Sequence, residues 1–228
     1  MLRYVMETIQ NSNTTDNPAE LQKVPGGLLV AFEGIDGAGK TTQAVSAVEE
    51  LRKRGYDAIY LREPTSEGPD GRQLRMLMAQ GRDTLSPQKE FELFLADRFY
   101  DVQHNIRPAL DDGKIVCIDR YYPSSMAYQG ALGLDPEMIR HENEKIAPIP
   151  DLILYFRVTP EVSAQRILAS RSGGQNLFEH QSYLEKVAQL FDAMEFPQMV
   201  RLDATLPIDR LHHLVMRILE GALAAKSY

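Results

Sequence analysis

An α/β protein with helices on both faces of a five-stranded parallel sheet is the fold class this sequence predicts, on three observations. Short apolar runs alternate with longer segments of helical periodicity along most of the chain, the pattern of strand-helix-strand units. The first such run leads into Gly34-Ile35-Asp36-Gly37-Ala38-Gly39-Lys40-Thr41, which fits Gly, any four residues, Gly-Lys-Ser/Thr, a phosphate cradle that requires a strand before it and a helix after it. Charged residues, Arg62, Asp119 and Arg120, stand where later runs end, and ligands in parallel sheets bind beyond the strand C-termini. Together these point to the three-layer α/β/α fold of P-loop NTPases.

Each element has its own local reason. Residues 1–25 stand outside the pattern and read as a flexible extension, with Asn11 to Pro18 polar and turn-rich. Leu2, Val5, Met6 and Ile9 share a helical face, so a short docked helix is the other reading. Glu7 and the shortness of the apolar stretch argue against a secretory signal. A single domain is expected over 26–228. Leu28 to Phe32 is a buried strand. From Lys40 to Arg54, apolar Ala44, Val45, Ala47, Val48 and Leu51 recur at helical spacing. Ala58 to Leu61 is a second strand, stopped at Arg62-Glu63-Pro64. Gly71 to Ala79 forms a short helix. Ser86-Pro87 opens a longer one, serine as N-cap and proline first, running towards His104. Ile115 to Ile118 is the third strand. Tyr121 to Gly130 passes from loop to helix, and Asp135 to Lys145 is helical. Leu152 to Phe156 is the fourth strand, and Thr159-Pro160 starts the next helix. Residues 170–178 read as a polar, glycine-bearing lid loop. Gln181 to Phe196 is helical, Met199 to Leu202 is the fifth strand, and an amphipathic helix from Pro207 to Ala225 follows.

The chain of 228 residues is long enough for a substantial core. Its 43% hydrophobic and 25% charged residues are the proportions of a globular protein, and no apolar run approaches bilayer length. A formal net charge of -7 excludes a broad nucleic-acid footprint, so basic sites must be local and aimed at something small and anionic. No membrane partner is expected. One cysteine, Cys117, sits in an apolar strand, so an intramolecular disulfide is impossible and a cytoplasmic location is expected. Five histidines lack metal-ligand spacing.

The crevice chemistry follows from the loop. Glycines let backbone N–H groups of Gly34, Asp36, Gly37, Ala38, Gly39, Lys40, Thr41 and Thr42 face a polyphosphate at a helix N-terminus. Lys40 supplies positive charge, and the Thr41 hydroxyl and Asp119 are the candidate Mg²⁺ partners of a nucleoside triphosphate. Arg62, Arg98 and Arg120 exceed what one triphosphate needs, which suggests a second anionic substrate held by planar guanidinium forks. Phe94 lies one helical turn before Arg98, so a ring and a guanidinium can present together to a base. Each has a plain alternative: Phe94 as core, Arg62 as a solvated strand end, Arg98 paired with a surface acid, Asp36 and Asp119 as structural acids.

Several segments together resemble the thymidylate kinase family, which transfers the ATP γ-phosphate to dTMP. They are Phe32-Glu33-Gly34-Ile35-Asp36-Gly37-Ala38-Gly39-Lys40-Thr41-Thr42, Arg62-Glu63-Pro64, Phe94 to Arg98, Asp119-Arg120-Tyr121 with Ser124 and Ala127-Tyr128-Gln129-Gly130, and Pro150-Asp151-Leu152 with Thr159-Pro160-Glu161-Val162 and Asp203-Ala204. The likeness covers roughly residues 28–220. The resemblance implies that Lys40, Arg120, Asp119 and Arg171 serve catalysis and that Asp36 meets the acceptor sugar. It implies that Arg62 and Arg120 hold the acceptor phosphate, and that Phe94 and Arg98 read the base, with Ser124 and Gln129 on the base side. It also implies that Tyr128 crowds the 2′ position and that a homodimer forms on helices around residues 71–104.

The chain departs from the family pattern in three places. Some members carry arginine where this chain has Gly37, which moves the γ-phosphate charge to the lid and Arg171, with Arg166 on the preceding helix. Leu177-Phe178-Glu179 is similar to archaeal-type members. Arg157 stands where many relatives have aspartate. Two rival functions remain at this stage: a kinase of the same fold with another deoxynucleotide or nucleoside as acceptor, and a non-catalytic nucleotide-binding relative. The absence of an Asn-Lys-x-Asp motif argues against a GTP switch.

Overall fold

The computed structural model describes residues 21–80, 85–170 and 177–226. Five strands, β1 (Leu28–Glu33), β2 (Ala58–Arg62), β3 (Ile115–Asp119), β4 (Leu152–Arg157) and β5 (Met199–Asp203), pair in parallel in the order β2-β3-β1-β4-β5. The expected sheet is present. Every residue of β1 and β3 is buried, and all of β4 except Arg157. Strands in the middle of a parallel sheet are covered on both faces, so they read as continuous apolar runs. Cys117 is one of these core residues, and burial pushes its thiol up to about 12.

The register sets the site. Phe32 of β1 and Arg62 of β2 both lie opposite Asp119 of β3, so Glu33, Arg62 and Asp119 finish along one rim of the sheet. Helix α1 (Lys40–Lys53) rises from that rim behind Gly39, whose φ of 91° only glycine adopts freely, and buries Ala44, Ala47, Val48 and Leu51 against the sheet. Helices α2 (Pro69–Gln80) and α3 (Pro87–Asp101) pack on each other beyond β2. Ser86 caps α3 by accepting from the Lys89 N–H at 3.3 Å, with Pro87 in the first turn.

The segment after α3 goes further than expected. A π-helical turn, Val102–Ile106, leads into α4 (Arg107–Asp111). Pro108 has no N–H for the carbonyl one turn back, and a widened turn accommodates that missing bond without ending the helix. Helices α5 (Tyr122–Ala131) and α6 (Pro136–Glu144) follow β3, and Tyr122 through Gln129 of α5 are all buried. Helix α7 (Pro160–Ser170) follows β4. Helix α8 (Leu177–Ala193) begins inside the span expected for the lid, and α9 (Ile208–Lys226) buries the stripe Leu211, Val215, Leu219 and Leu223. Residues 171–176, including Arg171, lie outside the described residues.

The body starts ahead of position 26. Gln22 makes a parallel bridge with Tyr56, its N–H donating to Gly55 O at 2.7 Å and its carbonyl accepting from the Asp57 N–H at 3.0 Å. Val24 is 5% exposed in the core, and its N–H donates to Gly113 O at 2.8 Å. Residues 22–24 are thus tied to the segments that lead into β2 and β3, and a polar stretch upstream gave no sign of it. Residues 1–20 lie outside the described residues. No helix among the described residues is long and apolar enough to cross a membrane.

Candidate active site

The glycine-rich loop leaves β1 with three glycines at positive φ: Gly34 at 141°, Gly37 at 76° and Gly39 at 91°. A Cβ on Gly34 would lie 2.6 Å from Phe156 O, so that position has no room for a side chain. Lys40 is 5% exposed, and its ammonium donates to Ile35 O at 2.8 Å, folding the side chain back over the loop it belongs to. Burial, with Arg120 adding to it, pushes the Lys40 ammonium down to about 8, against the attraction of Asp36, Asp119 and Glu33. A polyphosphate in the loop would reverse that bias. Thr42 is exposed beside Thr41 at the start of α1.

Asp119 ends β3 at the same rim. The Thr41 hydroxyl donates to its Oδ2, the Tyr60 hydroxyl reaches the same oxygen at 3.2 Å, and Arg62 Nε lies 4.0 Å away. The other oxygen, Oδ1, is buried and has no hydrogen-bond partner. An orphaned carboxylate oxygen beside a threonine hydroxyl fits a hard cation, and Mg²⁺ carried by substrate phosphates needs only one or two protein oxygens. Asp119 and Thr41 are the residues that would hold it. Burial and the Asp119 charge push Tyr60 up to about 12, so its hydroxyl is a donor throughout the neutral range.

Arg120 follows with φ at 72°, the sole positive φ outside glycine among the described residues. Such a backbone is costly and persists only where neighbours fix it. Here the Arg120 N–H donates to Phe32 O at 3.1 Å, and the next N–H, of Tyr121, donates to Glu33 Oε1 at 2.8 Å. The turn throws the guanidinium back over the P-loop. Nη2 donates to Asp36 Oδ1 at 2.6 Å and to the Tyr128 hydroxyl at 3.1 Å, and Nη1 donates to Ser124 Oγ at 3.0 Å. The guanidinium also lies over the Tyr128 ring, 4.7 Å from its centroid. Burial works against the Arg120 charge, but Tyr128, Asp36 and Asp119 outweigh it and keep the group protonated.

Glu33, a site residue the sequence argument passed over, holds this arrangement from below. It is fully buried, takes the Tyr121 N–H with one oxygen and the Ser124 hydroxyl at 2.5 Å with the other. Burial pushes it up to about 7, opposed by Ser124, Arg120, the Tyr121 N–H and Lys40. A glutamate closing an apolar strand immediately before the P-loop glycine was the available signal. Tyr60 was the other omission, and its signal was position: it shares a strand face with Arg62 two residues on.

The base-reading pair is arranged differently from the expectation. Phe94 is half-buried on α3, whereas Arg98, one turn later, is 1% exposed. All three guanidinium nitrogens of Arg98 bond to protein. Nε and Nη2 donate to Glu63 Oε2 at 2.9 and 2.5 Å, Nη1 donates to Asn143 Oδ1, and both Nη groups reach Ser125 Oγ at 3.3 and 3.2 Å. Arg98 is thus paired with an acid, but with the buried Glu63 rather than a surface one. Gln129 faces α3, its amide donating to Glu90 Oε1 at 3.3 Å while Oε1 stays buried without a partner.

Helix α7 closes the far side of the loop. The Ser163 hydroxyl donates to Asp36 O, and Arg166 donates to Gly37 O at 3.3 Å and to Ala204 O at 2.8 Å. A Cβ on Gly37 would lie 2.9 Å from Ser163 O and 3.3 Å from Ile167 Cγ1. Glycine at 37 is thus a packing requirement, separate from its backbone angle. Arg157 is turned from the loop into a two-pronged ion pair with Asp192 of α8, at 2.8 and 2.9 Å.

With this geometry in place, a sequence profile described as Thymidylate kinase matches residues 32–215. The chain belongs to the thymidylate kinase family. It is 41% identical over 199 residues to the probable thymidylate kinase of Archaeoglobus fulgidus, covering 87% of this chain and 98% of that one. It is 43% identical over 193 residues to the thymidylate kinase of Desulfotalea psychrophila, covering 84% and 94%. It is 43% identical over 204 residues to the thymidylate kinase of Xanthomonas campestris pv. campestris, covering 90% and 88%. As a thymidylate kinase family member, the chain places Lys40, Asp119, Arg120, Asp36, Ser124 and Tyr128 in one connected cluster at the sheet rim, with Arg62 at its edge and Arg98 behind it.

Proposed function

We propose that the protein phosphorylates dTMP to dTDP with ATP, the donor triphosphate in the P-loop and the acceptor phosphate between Arg120 and Arg62. The observation that carries this reading, beside family membership, is the convergence of two cations, Lys40 and Arg120, among the acids Asp36, Asp119 and Glu33. Two phosphate-bearing ligands can meet there head to head.

The chain's own residues have limited chemistry to perform. An ionised phosphate oxygen on the acceptor is already a nucleophile, so no general base is required. Lys40 neutralises charge on the transferring group, and Arg120 holds the attacking phosphate in line. Asp36 and Ser124 hold Arg120 until the acceptor arrives, and the guanidinium then exchanges those contacts for the acceptor's phosphate oxygens. Tyr128, clamped by the Asp36 N–H and by Arg120, is proposed to crowd a 2′-hydroxyl. Mg²⁺ would supply charge neutralisation on the donor phosphates, held by Thr41 and Asp119. Arg171 is proposed as the lid cation for the γ-phosphate.

A coupled ADP-release assay tests the central claim. With Mg-ATP, dTMP should give a rate at least ~100-fold above AMP, GMP and CMP, and chelating the metal should abolish it. Equal rates across the nucleotides would overturn dTMP as the acceptor, and full activity in chelator would remove the metal from the reaction.

We also propose a homodimer through α2 and α3. Met76 is 61% exposed, Met78 44% and Phe99 51%, an unusual concentration of large apolar side chains on two adjacent helices. Sedimentation should show about twice the chain mass of 25.8 kDa, and Phe99→Glu should shift the particle towards the monomer. A wild-type chain that sediments as a monomer at tens of micromolar would dispose of the idea.

A further inference from the structure

The Arg98 guanidinium is a buried charge whose direction is set by residues outside the crevice. Glu63 takes two of its N–H groups through one oxygen, and Asn143 takes one from the opposite side. Ser125 takes the longest bonds, 3.2 and 3.3 Å, and is the partner most readily exchanged for a ligand oxygen. Glu63 and Asn143 therefore fix the plane of the fork, leaving one edge to be satisfied by whatever docks.

Asn143 is the informative member. It lies in the last turn of α6, 0% exposed, with none of its hydrogen bonds to the P-loop or to Arg120. Asparagine is a poor helix residue, and a buried amide must have its hydrogen bonds met. Its Nδ2 donates to Ile139 O at 2.7 Å in its own helix, which leaves Oδ1 to face Arg98. The side chain is locked on one side by its helix and on the other by the guanidinium. An apolar residue would serve the helix equally well, so the amide is explained by its partner.

We infer that Asn143 is a positioning residue for acceptor-base discrimination: by fixing the Arg98 fork, it determines how strictly a 4-oxo pyrimidine nucleotide is preferred over a 4-amino one. This rests on the reading of Arg98 as the group that meets the base edge. The physical basis is the asymmetry of hydrogen-bond selection. A fixed N–H donor aimed at a carbonyl oxygen is satisfied, whereas the same donor facing an amino group is left unpaired, and a site built to hydrogen-bond a group strongly rejects the analogue that lacks it. A fork free to rotate would find other acceptors for its N–H groups and lose that penalty.

The test measures dissociation constants of dTMP, dCMP and ATP by calorimetry, with a thermal melt for each variant. Asn143→Ala should weaken dTMP binding roughly tenfold and reduce the dTMP-over-dCMP preference by at least ~10-fold, leaving ATP within about twofold. Asn143→Asp keeps an oxygen for Arg98 but loses the donor to Ile139 O, so it should retain the preference, which a role confined to holding α6 would not allow. If the alanine variant does not fold, Asn143→Ser, whose hydroxyl falls short of Arg98, carries the same expectation. An unchanged preference in a folded Ala or Ser variant overturns the inference. So does an equal loss of dTMP and ATP binding together with a lowered melt in both Ala and Asp variants. Arg98→Ala separates the layers: if it keeps the preference, the base-reading role of Arg98 fails and the inference with it. If it loses the preference while Asn143→Ala keeps it, only the positioning role fails.

Discussion

Replacing Lys40 by alanine should lower kcat by about 10³-fold, roughly 4 kcal/mol of transition-state stabilisation. Phosphoryl transfer spreads charge over the equatorial oxygens, and the protein's contribution is almost wholly positioning and charge neutralisation. Lys40 is the P-loop's one cation and is held in a buried site where its field is poorly screened. Burial pushes its ammonium down to about 8, a bias that a bound triphosphate would reverse. Donor binding should suffer less than turnover, because the backbone N–H groups of the loop survive the substitution. Steady-state kinetics with dTMP saturating gives the answer, and a kcat within tenfold of the parent would remove Lys40 from the transition state.

Arg120→Ala should lower kcat/KM for dTMP by at least ~100-fold, about 2.7 kcal/mol. Three side chains, Asp36, Ser124 and Tyr128, converge on this guanidinium, so its position is fixed before any ligand arrives. The substitution also removes a counter-charge from Glu33, which burial holds near the top of its range already. A thermal melt is therefore needed alongside the kinetics, to separate loss of function from loss of fold. Arg120→Lys should recover little, since a point charge does not reproduce a fork that holds three partners. A loss of tenfold or less in a folded variant would place the acceptor phosphate elsewhere.

The sheet was legible because its central strands are local statements. Leu28 to Phe32 and Ile115 to Ile118 are apolar at every position, and only a strand covered on both faces needs that. The P-loop was legible for the same reason, as its glycines and lysine are contiguous. What escaped was long-range. Glu33 has meaning only once Tyr121 and Ser124 arrive beside it from β3. Gln22 and Val24 read as part of a tail until Tyr56 and Gly113 are placed next to them. Arg98 was singled out by its spacing from Phe94, but the spacing could not reveal that Glu63 and Asn143, from two other segments, would take its nitrogens. The π turn ahead of Pro108 trades one missing bond against continued packing, a balance that no local pattern encodes.

The seal between Gly37 and α7 has a consequence for how the family diversifies. An arginine at that position would give the P-loop a second cation of its own. Here the route to that state is ordered in time. An arginine introduced first meets Ser163 O and an unfavourable backbone angle, and so costs stability before it can contribute charge. A side chain at 37 needs α7 to retreat, and that retreat would release the Ser163 and Arg166 contacts that hold Asp36 and Gly37 in place. A graft of arginine onto position 37 must therefore change the helix and the loop together.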